Sequence, residues 1–343
     1  MTSIEKIDYA NIGLMLISCV VAFILPFELF LFSYAVLGPL HYLTEIGWLH
    51  KKGYYTSGKN DFIFLIIVGA LITLGFFKAS DWLQDISTNL IYIAFLSSLI
   101  LVAIKDNTLK AVGIILVVFS TLFFSDAGFF ELFFAIYLPT IIHVFVFTAL
   151  FMVYGALKSK SISGLLAVLA LAAISSSFFL IPSGYNPVAP SEYIQKSYGN
   201  FAELNRNLIN FFGLGNLDKF SIDTFQNNFK TIFGSIEGYM VMRFVAFAYT
   251  YHYLNWFSKT SVIQWHKVPK KSLMAIVGIW VASVALYIYK YEVGLKWLFL
   301  LSFLHVLLEF PLNYRSFIGI GQEARKLFSG GGNAPLSQST PSK

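Results

Sequence analysis

Cysteine is almost absent from this chain: of its 343 residues only Cys19 is one. A disulfide framework and a thiolate metal cluster are thereby excluded. Charge is scarce as well, at 12% of residues against the roughly 25% of soluble domains. No phosphate-binding loop, dinucleotide fingerprint or serine-nucleophile motif stands out, so nucleotide-dependent and acyl-transfer chemistry find no support. What the chain has instead is apolar surface: 57% hydrophobic residues and 18% aromatics, with 36 Phe and 19 Tyr. Several apolar runs exceed the roughly 20 residues that cross a bilayer. The expectation is an all-α fold, a polytopic integral membrane bundle whose first partner is lipid. The start, with Glu5, Lys6 and Asp8 before an apolar stretch that runs far past an h-region, does not read as a secretory signal.

Hydropathy predicts about nine transmembrane helices, at 11–49 (in two parts, kinked at Pro26), 61–77, 88–104, 111–125, 128–157, 163–181, 231–258, 272–289 and 295–313. The fourth is short enough to be re-entrant instead. Basic residues follow every second span: Lys51, Lys52 and Lys59; Lys105 and Lys110; Lys158 and Lys160; Lys259, Lys267, Lys270 and Lys271; Arg315, Arg325 and Lys326. The loops between carry Asp81 with Asp85, Asp126 with Glu131, and the long mixed segment 182–230, with Lys78 and Lys290 as minor exceptions, each near an acidic residue. Positive-inside then predicts the N-terminus outside and the C-terminus cytoplasmic. The net charge of +6 is thus a topology signal, and no nucleic-acid partner is expected.

Residues 1–328 read as a single transmembrane helical domain. Within it, 182–230 opens on the turn-rich Pro182-Ser-Gly-Tyr-Asn-Pro187, after which Phe201, Leu204, Leu208 and Phe211 recur at helical spacing. This predicts one or two amphipathic helices on the outer membrane surface, able also to cap the bundle or face a protein partner. The Gly- and Ser-rich stretch 329–343 reads as a disordered tail.

Four histidines, His41, His143, His252 and His305, fall inside expected spans that all run in the same direction. They precede the next basic residue by ten, fifteen, seven and ten positions, which puts all four in one layer roughly 10–22 Å from the basic boundary. Glu45 and Glu309 follow His41 and His305 by four residues, on the same helix face. Ionisable groups in hydrocarbon are costly unless they pair or ligate. Imidazole with carboxylate suits Fe(II), Mn(II) or Zn(II), and helical bundles present such ligands about one turn apart. Two arrangements follow: one iron on three or four ligands with the carboxylates behind, or a dinuclear centre on all six. Glu45 and Glu309 are the candidate catalytic bases. Intramembrane polar groups that satisfy one another without a metal are the first alternative, and haem on two histidine pairs is a weaker one, because it leaves the carboxylates unexplained.

Asn255, three residues after His252, is placed to orient that imidazole. Arg243 and Glu237, further along the same span, read as paired or snorkelling groups rather than a substrate clamp. His50 and His266 stand in basic loops, as interfacial residues. Trp48, Trp256, Trp265 and Trp297 suit interfacial anchoring.

These windows resemble the Brp/Blh family of membrane β-carotene 15,15′-dioxygenases. Gly38-Pro-Leu-His41-Tyr-Leu-Thr-Glu45-Ile is similar to the family's Gly-x-Pro-His-Gly-Ala-x-Asp-His, with Glu45 where the family has Asp. Phe247-Ala-Tyr-Thr-Tyr-His252-Tyr-Leu-Asn-Trp256 is similar to its aromatic Tyr-Phe-x-x-Trp-His helix. Phe303-Leu-His305 stands for a late Pro-His motif, and His143 fills the remaining histidine position. The resemblance implies non-haem iron on the four histidines, O2 as co-substrate, a carotenoid or another lipophilic substrate, and a bacterial inner membrane. The reading from a different class is a non-enzymatic membrane subunit, carrying haem or serving as a scaffold, that docks through 182–230.

Overall fold

A computed structural model describes residues 2–52, 56–58, 60–124, 128–180, 190–260, 264 and 267–328. Lys59, Asp126, the 182–187 turn, Trp265, His266 and the 329–343 tail lie outside the described residues. Every regular element among those described is helical. We label them α1 (Ser3–Ile24), α2 (Pro26–Lys51), α3 (Phe62–Phe76), α4 (Ser87–Ala103), α5 (Asn107–Phe124), α6 (Glu131–Ser159) and α7 (Ile162–Leu180). After these come α8 (Glu192–Tyr198), α9 (Ala202–Phe211), α10 (Phe225–Gly234), α11 (Ile236–Ser258), α12 (Lys270–Tyr289) and α13 (Tyr291–Phe328).

The run expected as one kinked span, 11–49, is two helices. Thr2 and Glu5 close a capping box at the start of α1, and the chain turns at Leu25 before Pro26 opens α2. Proline fits that first position because its missing N–H would have no helical partner there. α1 starts beside the end of α6: the Ser161 and Ser163 hydroxyls both donate to the Asp8 carboxylate, at 2.8 and 2.7 Å. α2 finishes where Lys51 donates to the Lys267 carbonyl at 3.0 Å. The start of α1 therefore lies at the same end of the bundle as the lysine-rich loops, and not at the opposite end that counting nine spans leads one to expect. Gly319 of α13 lies against the Tyr154 ring near the end of α6, so the close of the described chain is at this basic end too.

Among the described residues, seven helices are long and apolar enough to cross a membrane: α1, α2, α5, α6, α7, α12 and α13. An eighth is added if α10 and α11, which meet at a 67° elbow, are taken together. The expected fourth span, doubtful by length, is the full 18-residue α5, whereas α3 and α4 are shorter, at 15 and 17 residues. On the periphery, Ile115 and Leu122 of α5 and Ile288 of α12 are 65%, 71% and 78% exposed. Continuous apolar surface of that kind fits a bilayer rather than water.

The core is α11, which buries 17 of its 23 residues. A helix apolar on all sides belongs in the middle of a bundle, and α1, α2, α6 and α7 pack around it. The expected surface helices of 182–230 do not lie free: Tyr198, Leu208 and Ile209 are at most 2% exposed, so α8 and α9 cap the end of the bundle opposite the lysines. Phe211, expected on their buried face, is 68% exposed.

Two stretches are wound as π-helix, Ser33–Leu37 within α2 and Glu131–Phe147 within α6. The second contains Pro139, whose missing N–H and ring the wider winding accommodates. π-Turns concentrate at functional sites because they shift side-chain phase without ending the helix. Here one ends four residues before His41 and the other contains His143.

Candidate metal centre

α2, α6, α11 and α13 each deliver one histidine to a common point in the bundle, and all four are at most 7% exposed. The ring centroids form a closed circuit: His41–His252 4.7 Å, His252–His143 4.9 Å, His143–His305 4.9 Å and His305–His41 5.4 Å. His41 Nε2 is 3.1 Å from His252 Nε2, and His143 Nε2 is 3.0 Å from His305 Nε2. Donor atoms of His41, His252 and His305 lie within 4.8 Å of one another, a spread that leaves room for an ion between them.

The two carboxylates, equivalent by their spacing in sequence, differ in place. Glu45 Oε2 stands 3.0 Å from His41 Nε2, the nitrogen that faces His252. Glu309 Oε2 stands 3.2 Å from His143 Nδ1, while the Nε2 of that ring faces His305. Glu45 thus belongs to the set of facing donors and Glu309 sits behind one of them. Neither contact has the alignment of a hydrogen bond. An oxygen and a nitrogen that approach to 3.0 Å without sharing a proton are disposed as two ligands of one cation would be.

The tautomer of His252 follows from its neighbour. The Thr148 hydroxyl donates its one proton to the Val144 carbonyl at 2.9 Å, so it accepts from His252 Nδ1–H at 2.8 Å. The Nε2 lone pair of His252 then points at the cluster, as a metal ligand requires. Asn255, expected in that role, does not take it: its Oδ1 is buried without a hydrogen bond. Spacing along an α-helix did not single out Thr148, which is on another helix and just past the π-wound stretch.

Aromatic rings hold the imidazoles in plane. Tyr42 stacks on His305 at 4.1 Å and 25°, and its hydroxyl is 2.8 Å from that of Tyr253. Trp256, expected at the membrane interface, is buried: it meets His41 edge-on at 5.6 Å and its indole N–H donates to Thr44 Oγ1 at 3.0 Å. Trp297, by contrast, is 56% exposed. In the sequence Tyr42 stands out only by its adjacency to His41, and Tyr253 and Trp256 only as members of the aromatic window around His252. His50 is exposed and apart from the cluster. Arg243 is buried over the Phe23 ring at 4.9 Å, and Glu237 is in the first turn of α11.

A cavity of about 370 Å³ reaches the cluster at His143 and His305. Its walls include Tyr34, Tyr42, Phe201, Tyr249, Tyr253 and Phe299, and it runs to the end capped by α9, where Glu131 and Asn200 are exposed. Its volume and its largely apolar and aromatic lining fall within the range of small-molecule pockets. Neither Arg243 nor Glu237 lines it.

Comparison with known proteins adds no relative: no protein-family model, no curated protein and no solved structure matches the chain.

Proposed function

We propose that the chain is a membrane-embedded, metal-dependent oxygenase that acts on a hydrophobic substrate, a carotenoid or another lipid, with iron(II) as the metal and O2 as co-substrate. The observation that carries this reading is a ring of four imidazoles from four helices, in facing pairs at 3.0 and 3.1 Å, reached by an aromatic-lined cavity. Adjacent ligands of an octahedral ion with bonds of about 2.1 Å stand roughly 3.0 Å apart. The N···N and N···O distances here have that value. His41, His252 and His305, whose donor atoms lie within 4.8 Å of one another, would hold the ion, with His143 beside His305 and Glu45 beside His41 as further ligands and Glu309 behind His143. That spacing supports an ion between facing donors. It also argues against haem, whose two axial bonds of about 2.0 Å place the ligand nitrogens about 4 Å apart with a macrocycle between them.

Iron bound there would supply the one-electron chemistry that O2 needs to react with a spin-paired lipid. The chain's own residues do the rest. Thr148 fixes the His252 tautomer, Tyr42 and Trp256 hold ring planes, and the buried walls exclude water from the reacting volume. By positive-inside, the basic end faces the cytoplasm, and a bacterial inner membrane is the location proposed. The α9 end and the cavity mouth then face outward.

The test is elemental analysis with an optical spectrum on the same purified, detergent-solubilised sample. About one iron per chain without a Soret band is expected, with O2 uptake on adding β-carotene or another lipid. His41→Ala and His252→Ala should each abolish bound metal while the protein remains inserted. Full metal in both variants, or none in the wild type after iron-supplemented growth, sinks the reading. A Soret band would transfer it to a haem-carrying subunit.

A further inference from the structure

The cavity has two chemically different ends. The inner end is the His143–His305 edge; along α13 it is bounded from Leu295 to His305, ten residues or about 15 Å. The outer end is polar, formed by Ser87 and Thr88 of α4, Glu131 of α6, and Asn200 with Glu203 from the capping segment. Two of these groups are uncommitted: among the described residues, the Thr88 hydroxyl and the Asn200 amide make no side-chain hydrogen bond within the protein. The charged groups are committed. Glu131 accepts from Lys219 at 3.2 Å, and Glu203 pairs with Arg206. No lysine or arginine lines the cavity, and the two cations beside its mouth, Lys219 and Arg206, are already paired with the glutamates, so no free cation is left to compensate a phosphate or a carboxylate.

From this we infer that the ligand is a single-chain lipid with a neutral hydroxyl or carbonyl end, held end-on. Its polar end hydrogen-bonds Thr88 and Asn200 at the mouth, and its apolar chain passes between the aromatic walls. An extended chain advances roughly 1.2 Å per bond, so about a dozen bonds separate the polar end from the carbon that meets the cluster. The inference rests on the oxygenase reading only for what happens to that carbon; the binding itself is independent of it.

The probe is 1-dodecanol carrying a photoreactive diazirine at its far end, applied to the full chain in lipid nanodiscs. Cross-linking is expected on the α13 peptide that contains Phe303 and Val306. Unlabelled dodecanol and dodecanal should compete, and dodecanoate and dodecyl phosphate should not. Thr88→Val with Asn200→Leu should weaken competition by dodecanol roughly tenfold, the loss expected from about one hydrogen bond. The conservative Thr88→Ser should leave it near the wild type, and metal content measured on each variant reports whether the fold is kept. Equal competition by dodecanoate, or an unchanged double variant, overturns the inference. Absent metal with the labelling pattern intact would remove the oxygenase reading and leave this one; bound metal with no preference for the alcohol would do the reverse.

Discussion

Two glutamates four residues after two histidines look interchangeable in the sequence, yet they do different work. Glu45 faces the same point as the imidazoles, and Glu309 stands behind His143. Glu45→Gln should therefore remove a charged ligand and most of the bound metal. Glu309→Gln and Thr148→Val, which act through a histidine, should weaken metal affinity by roughly 10–100-fold. Metal titration against a competing chelator checks this order, and equal loss in both glutamate variants would erase the distinction. The histidines themselves were legible, because imidazoles buried in hydrocarbon at one depth need partners. Thr148 and Tyr42 were not, because a threonine or tyrosine in an apolar helix carries no signal of its own until a neighbour is placed against it.

Individual elements carry the phase of these side chains. His143 points inward at the end of a stretch wound as π-helix, Glu131–Phe147. Inserting one alanine after Ile136, into a stretch that is already wound wide, should rotate the residues beyond it by about 100° relative to those before it. The expected outcome is a protein that inserts and folds but loses metal; retained metal would mean that His143 is not a ligand. The α10–α11 elbow depends on Gly238, where an added Cβ would lie 2.3 Å from the Thr231 carbonyl oxygen. Backbone cannot yield there as a flexible side chain could, so Gly238→Ala should destabilise the protein by about 3 kcal/mol, read as a lower unfolding temperature in detergent. Helix existence was evident from apolar runs, but helix winding was not. Hydropathy is averaged over a window, and one extra residue per turn leaves the average unchanged.

At the scale of the whole molecule, the start of α1 and the end of α13 share the basic end. Reporters fused to the two termini should accordingly give the same side, the cytoplasmic one; opposite sides would restore an odd number of crossings. The capping helices close the far end, and a cavity beneath them leads from outside to the cluster. By itself, the sequence determined the all-helical class, the apolar surface and the layer in which four histidines meet. Each of these follows from local composition and from the length of chain needed to cross hydrocarbon. Tertiary structure alone decided that 11–49 is a pair of helices, that Glu45 and Glu309 differ, that Thr148 sets the His252 tautomer, and that a cavity ends on His143 and His305. These are relations between side chains up to about 270 residues apart, fixed by how helices rotate and tilt against one another, and no periodicity within a single helix encodes them.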